Sequence, residues 1–256
     1  MAKTVTVVNR KGGVGKTITA LNLSAALGIK GKKVLTVDTD AQGNLTRCML
    51  PWEMQDNCKT LIDAFKSESL EGCIYSSTAE NVDIIPSHEN LAVIDRIFED
   101  VIVDKEYKLQ DLLDTSELDW YDYIIVDSPP GRGLISTNAL VASDTLLIPV
   151  ESFFSVDGLL PLLKDVAQIQ KRANPDLDVG YFLITLYDPR TKVGKSVGKI
   201  RDKFGERVLG TEIPRNITLS ECTAANQAIY TYEPNCRGAK AYMELADELL
   251  EKWEGL

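Results

Sequence analysis

Apolar positions along the chain change period several times, and each change marks the border of a predicted element. Thr4 to Val8 is a β-branched run of the kind that fills a buried strand. From Lys16 the period lengthens, and Ala20, Leu21, Leu23 and Leu27 share one face of a predicted helix that ends around residues 28–31. Lys33 to Asp38 reads as the next strand, followed by Val82 to Ile85, Asp144 to Val150 and Gly180 to Thr185. Ile124, Ile125 and Val126 form a run without a polar face, as expected of a central strand covered on both sides. Helical faces fall between them: Leu91, Ile94, Asp95 and Phe98; then Leu159, Leu160, Leu162, Leu163, Val166, Ile169 and Gln170; and last Ala241, Leu245, Ala246, Leu249, Leu250 and Trp253, within a helix from Ala239 to Trp253. This alternation predicts an α/β fold with a mostly parallel central sheet, helices on both faces, and ligands at the carboxyl ends of the strands.

No internal repeat, low-complexity tract or Pro/Gly linker interrupts the 256 residues, so one domain spanning residues 1–256 is expected. The formal charge of −10 argues against a surface coated in nucleic-acid-binding charge, although a local basic patch remains compatible with it. The five cysteines are odd in number, lack metal-ligand spacing and read as reduced thiols. No apolar run is long enough to span a bilayer and the first strand begins at once, so a soluble cytoplasmic protein without a signal peptide is expected. His88, the sole histidine, has no nucleophile or paired carboxylates beside it and reads as a surface or capping residue.

Chemistry concentrates where strands end. After the first strand the chain breaks into Gly12, Gly13 and Gly15 before the helix starts. Glycines let backbone N–H groups turn inward, and the helix N-terminus adds free amides and a positive dipole end, which together hold a polyphosphate. Lys16 would reach the β- and γ-phosphates and the Thr17 hydroxyl would ligate Mg²⁺. The usual phosphate-loop spacing puts a glycine five residues before Gly15, but Arg10 stands there, and Lys11 follows it at the loop entrance. Asp38 closes the second strand and Asp40 emerges on the same side, either to serve a water near a γ-phosphate or to cap a turn. Asp127 ends the central strand, fit to hold Mg²⁺, and residues 128–131 (SPPG) form a turn able to sense the γ-phosphate.

One stretch reverses the acidic average. Between Thr185 and Arg215 eight lysines and arginines meet four carboxylates. At helical spacing Lys192, Lys195, Lys199 and Lys203 share one stripe, with Val193, Val197, Ile200 and Phe204 on another. Such a row suits successive phosphates without reading bases, and it equally suits a plain solvated face.

KGGVGKT at residues 11–17, the Asp38–Asn44 segment and DYIIVDSPPG at residues 122–131 together resemble the deviant Walker A ATPases of the ParA/Soj/MinD group, in which the extra lysine is the signature. The resemblance covers nearly the whole chain. It implies a P-loop NTPase fold and ATP with Mg²⁺ bound by Lys11, Gly12, Gly13, Val14, Gly15, Lys16, Thr17 and Ile18, with metal contacts from Thr17 and Asp127. It assigns catalysis to Lys11, Lys16 and Asp40, with Lys11 crossing to the nucleotide of a second subunit in an ATP-sandwich homodimer. Pro214 and Asn216 match the adenine-side loop. ParA/Soj relatives bind DNA non-specifically, which points to Arg190, Lys192, Lys195, Lys199, Lys203 and Arg215, and implies nucleoid association of the ATP-bound form. A ParB-like centromere-binding partner is implied as the activator of hydrolysis. Two departures stand out: Ala41 where relatives carry proline, and Thr218 where they carry a second DNA-contacting arginine. The acidic C-terminal tail is unlike the basic amphipathic helix with which MinD relatives lie on lipid, so no membrane contact is expected. Three rivals share the superfamily or the loop: a MinD-like spatial regulator, an iron-sulfur carrier, which would need interface cysteines, and a small-molecule phosphotransferase.

Overall fold

In the computed structural model the chain is described over residues 1–98, 104–151, 154–188, 190 and 197–255. The first half runs β1 (Lys3–Val7), α1 (Lys16–Ile29), β2 (Val34–Asp38), α2 (Asn44–Met49), α3 (Trp52–Gln55), α4 (Leu61–Ser67), β3 (Tyr75–Ser76), β4 (Val82–Ile85), α5 (Ile94–Ile97) and α6 (Lys108–Leu113). The second half runs β5 (Tyr123–Asp127), α7 (Leu134–Val141), β6 (Thr145–Val150), α8 (Phe154–Arg172), β7 (Asp178–Tyr187), α9 (Val197–Phe204), β8 (Val208–Pro214), α10 (Ile217–Ala224), α11 (Ile229–Tyr232) and α12 (Arg237–Glu254). Among the described residues the strands form one eight-stranded sheet in the order β3-β4-β2-β5-β1-β6-β7-β8. Every pairing is parallel except that of β3 with β4 at one edge.

Side-chain alternation distributes the strand residues between the two faces of the sheet, one covered by a single core cluster and the other by two. Val5 and Val7 of β1, Tyr123 and Ile125 of β5 and Leu147 of β6 face α1, α2, α10 and α12. Their neighbours Ile124 and Val126 face α4, α6 and α7, while Leu146, Ile148 and Val150 face α8 and α9. A sheet buried on both faces needs strands with no polar side, which is why β5 reads YIIV without interruption. Helix α1 lies close enough to the sheet edge that a Cβ on Gly28 would collide with the Glu80 carbonyl oxygen.

From β1 the chain moves to one side through β2 and β4, returns to place β5 next to β1, and then moves to the other side through β6, β7 and β8. The direction reverses at β1, and open parallel sheets bind their ligands at such a reversal, at the carboxyl edge.

Several element borders differ from the sequence reading for visible reasons. Asp144 immediately precedes β6, where its carboxylate accepts the Thr4 N–H at 2.7 Å. The run expected as one helix from Leu91 begins as a 3₁₀ turn over Glu89–Val93 and becomes α-helical only at Ile94, while still burying Leu91, Ile94 and Phe98. Leu160, expected on the packed stripe of α8, is 43% exposed. His88 caps the 3₁₀ turn, its Nδ1 accepting the Asn90 N–H at 3.2 Å. Among the described residues no helix is long and apolar enough to cross a membrane.

Candidate phosphate site

The glycine loop between β1 and α1 is anchored at its entrance. Asn9, 2% exposed, donates from its side-chain amide to the Pro149 carbonyl at 2.8 Å and accepts the Lys11 N–H at 2.9 Å. Gly13 and Gly15 sit at φ 74° and 90°, which other residues rarely adopt. A Cβ added to Gly12 or Gly13 would meet nothing within 4 Å, so the loop borders open space rather than protein. No side chain caps the start of α1, leaving its first amides available to an anion. Behind the loop, the Thr185 hydroxyl donates to the Val14 carbonyl at 2.8 Å and ties it to β7.

Lys16 is 7% exposed and folds back over the loop, its ammonium donating to the Lys11 carbonyl at 3.2 Å. Burial pulls its pKa down, against the opposing pull of Asp127 and Asp40. A desolvated cation beside two carboxylates and a ring of amides is suited to take up a polyphosphate.

Two carboxylates, Asp127 and Asp40, act on that lysine, and a third, Asp38, stands beside Asp127 on the neighbouring strand. Asp127 and Asp38 are register partners on β5 and β2, both fully buried. Both carboxylate oxygens of Asp127 lack a hydrogen-bond partner among the described residues, although the Thr17 hydroxyl lies close enough to ease its ionisation. Burial, and then the Asp38 charge, hold the Asp127 pKa well above the usual carboxylate range. A buried carboxylate without a partner is costly unless something cationic is brought to it, and with the Thr17 hydroxyl beside it the donor set fits Mg²⁺.

Asp38 is differently placed. Its Oδ2 accepts the Thr46 N–H at 2.8 Å and the Thr46 hydroxyl at 2.7 Å, while its Oδ1 accepts the Asp40 N–H at 3.1 Å. Burial pushes its pKa up to about 6 in spite of those bonds. Asp38 therefore shapes the loop that carries Asp40 rather than meeting a ligand. Asp40 is half-buried, with Oδ1 accepting the Gln42 N–H at 3.0 Å, and Gly43 completes the turn at φ 59° before α2. The missing proline at Ala41 leaves this turn intact. No local motif in the sequence marks Thr46 as a partner of Asp38.

Lys11 points away from its own loop. Its ammonium pairs with Glu151 Oε2 at 2.9 Å, and Arg215 approaches the other oxygen at 3.5 Å. Glu151 follows β6 at the carboxyl edge, a position where a strand-end carboxylate could have been noticed. Pro214 ends β8, and the Asn216 side chain is occupied in capping α10 through the Thr218 N–H at 2.9 Å.

The basic stretch is described in part. Lys192 and Lys195 lie outside the described residues. Within α9, Val197 and Ile200 are buried while Lys199 and Lys203 are exposed, matching the expected division of faces. The Arg190 side chain, 88% exposed, folds back onto Asp188 with Nε 3.0 Å from Oδ1. The Arg215 N–H donates to the Tyr187 carbonyl, which brings it to the same end of the sheet.

Residues 2–179 match the family model described as AAA domain. The chain is 39% identical to the sporulation initiation inhibitor protein Soj of Bacillus subtilis over 97% of its length and 98% of that protein's. It is 35% identical to the chromosome-partitioning ATPase Soj of Treponema pallidum over 98% of each. A cobyrinic acid a,c-diamide synthase from Mycobacterium smegmatis, solved with ADP and magnesium, superposes at a TM-score of 0.83 with 28% identity, covering 99% of this chain and 96% of the other. The same synthase has also been solved with an ATP analogue and magnesium. An anion cradle at the sheet reversal, an orphaned magnesium-type carboxylate and end-to-end similarity to Soj lead to one assignment: the chain belongs to the Soj/ParA family of partitioning ATPases, which hydrolyse ATP with Mg²⁺.

Proposed function

We propose that the protein is a nucleotide-gated dimer that carries cargo on DNA. The triphosphate lies along Gly12 to Ile18, with Lys16 against the β- and γ-phosphates and Thr17 and Asp127 holding Mg²⁺, which would supply charge neutralisation there. Pro214 and Asn216 border the adenine. Asp40 orients the attacking water. Lys11 leaves Glu151 and reaches the triphosphate of a second subunit. The observation that carries this reading is the outward placement of Lys11: its side chain is 49% exposed and, among the described residues, is held by an ion pair with Glu151 at the lip of the loop. An ion pair that open to water is worth about 0.2–1 kcal/mol, so a neighbour's triphosphate readily displaces it.

The paired subunits then present Arg190, Lys199, Lys203 and Arg215, with Lys192 and Lys195, to the phosphate backbone. Contacts of this type are independent of sequence and weaken as salt rises. A ParB-like partner accelerates hydrolysis, which separates the dimer and releases the DNA. Light scattering with a non-hydrolysable ATP analogue and Mg²⁺ should give a dimer for the wild type and a monomer for Lys11→Ala. A wild type that stays monomeric would sink the proposal. DNA co-sedimentation across a salt series should show ATP-dependent retention that Arg190→Glu with Lys199→Glu removes while dimerisation persists.

A further inference from the structure

We propose that Asp165 is a positioning residue for ATP turnover, holding the turn after β5 to the entrance of the phosphate loop through two arginines at once. Asp165 lies on α8, and its carboxylate is in contact with the Arg10 guanidinium at one oxygen and with Arg132 at both, the Arg132 Nε lying 3.2 Å from Oδ2. Arg10 stands where ordinary phosphate loops carry glycine, and Arg132 stands in the turn that follows Asp127. The three side chains are far apart in sequence, from Arg10 to Asp165, yet they meet at one carboxylate that is itself only 19% exposed.

The turn has little else to fix its outer half. Its start is held because Ser128 donates to the Val7 carbonyl from both its N–H (3.3 Å) and its hydroxyl (2.9 Å). Beyond that, Pro130, Gly131, Arg132 and Gly133 are all exposed, and a Cβ on Gly131 or Gly133 would meet nothing within 4 Å. Gly133 is tied forward into α7, its carbonyl accepting from the Thr137 N–H and hydroxyl at 3.1 Å each, and among the described residues two ties hold the part before it: the Gly131 N–H donating to the Arg10 carbonyl at 3.2 Å, and the Arg132–Asp165 pair. Both lead to Arg10 or to its counter-ion. A cavity of about 560 Å³ lies alongside, lined by Arg10, Arg132 and Asp165, so the turn has room to swing if the bridge opens. Loop, turn and helix α8 are thus joined by one shared charge, and α8 follows whatever the γ-phosphate does to the turn.

The inference rests on assigning ATP to this loop, and the experiment separates the two. Steady-state ATP hydrolysis would be measured for the wild type, Arg132→Ala, Asp165→Asn, Asp165→Glu and the Arg132→Ala/Asp165→Asn double variant. The Arg132 side chain is 67% exposed, so its loss leaves folding intact and should lower kcat about two- to fivefold, the range of an exposed ion pair, with KM for ATP within about twofold of wild type. Asp165→Asn, which also strips Arg10 of its counter-ion, should cost about tenfold or more, and Asp165→Glu should restore most of it. If Asp165→Asn folds poorly, Arg10→Gln/Asp165→Asn removes both partners and carries the same comparison. In the Asp165→Asn background Arg132→Ala should cost nothing further. Wild-type kcat in Arg132→Ala, or the same fold loss with and without Asp165, would overturn the bridge. A wild type that does not hydrolyse ATP would instead overturn the assignment of the loop.

Discussion

Asp127→Asn should make the nucleotide-free protein more stable while removing its response to Mg²⁺ and ATP. The carboxylate is fully buried, has no hydrogen-bond partner among the described residues and faces Asp38 across the β5–β2 pairing. In the unfolded chain an aspartate titrates near 3.9, whereas the folded environment holds Asp127 well above the usual carboxylate range, first through burial. The sign follows from proton linkage. The folded state binds the proton more tightly, so this group disfavours folding increasingly as pH rises from about 4 towards its folded pKa. At pH 7 an uncompensated buried charge of this kind costs about 3–5 kcal/mol. An asparagine carries no such cost but leaves an unpaired buried amide, worth about 1–3 kcal/mol. The difference is a gain of about 1–3 kcal/mol, or roughly 3–10 °C in Tm for a chain of this length. Thermal melts without nucleotide or metal at pH 7 should show that rise, and melts near pH 4 should show it vanish. Mg²⁺ with ATP should raise the Tm of the wild type and not that of the variant. A lower Tm for metal-free Asp127→Asn at pH 7 would mean that the carboxylate has a folded-state partner, and the reading of it as a vacant cation ligand would fail.

Thr46→Val removes one donor to the buried Asp38 carboxylate and the acceptor of the Ser87 N–H (2.8 Å), so it should cost about 2–4 kcal/mol in urea denaturation and slow ATP turnover. Undiminished stability would show that Asp38 does not depend on that hydroxyl. Asp40→Ala should leave the fold and ATP binding intact but reduce hydrolysis at least about 10²-fold, the scale of general-base loss; wild-type release of phosphate would remove Asp40 from the mechanism. Gly28→Ala pushes a methyl into the Glu80 carbonyl and should destabilise by about 1–3 kcal/mol without changing KM for ATP. A shift in KM instead would mean that the far end of α1 communicates with the phosphate loop.

Much of the site could be read from sequence because its parts are local. A strand, a glycine loop and a helix start occupy consecutive residues, and the period change at Lys16 marks the junction. Asp38, Asp40 and Asp127 were legible because a parallel sheet delivers every strand end to one edge, so a carboxylate after an apolar run has a predictable destination. What remained hidden depends on long-range pairing. Nothing near Thr46 announces that its hydroxyl will meet Asp38, and although Glu151 stands just past a strand end, its pairing with Lys11 follows only once β6 is placed beside β1. Asp165 reads as one polar position on the amphipathic helix α8, and its two arginines lie in separate loops. The 3₁₀ start at residues 89–93 escaped because apolar spacing of three and four residues fits both helix types over so short a run.

The strand order has an organisational consequence. The residues assigned to the phosphates and Mg²⁺ hang from β1, β2 and β5, side by side in the middle of the sheet, whereas Arg190, the lysines of α9 and the adenine-side Pro214 hang from β7 and β8 at its margin. Under the proposed function, substitutions at the margin change DNA contact while the phosphate site at the centre keeps its geometry. A chimera that exchanges residues 188–207 for the corresponding segment of a relative should keep its own hydrolysis rate and acquire the relative's track.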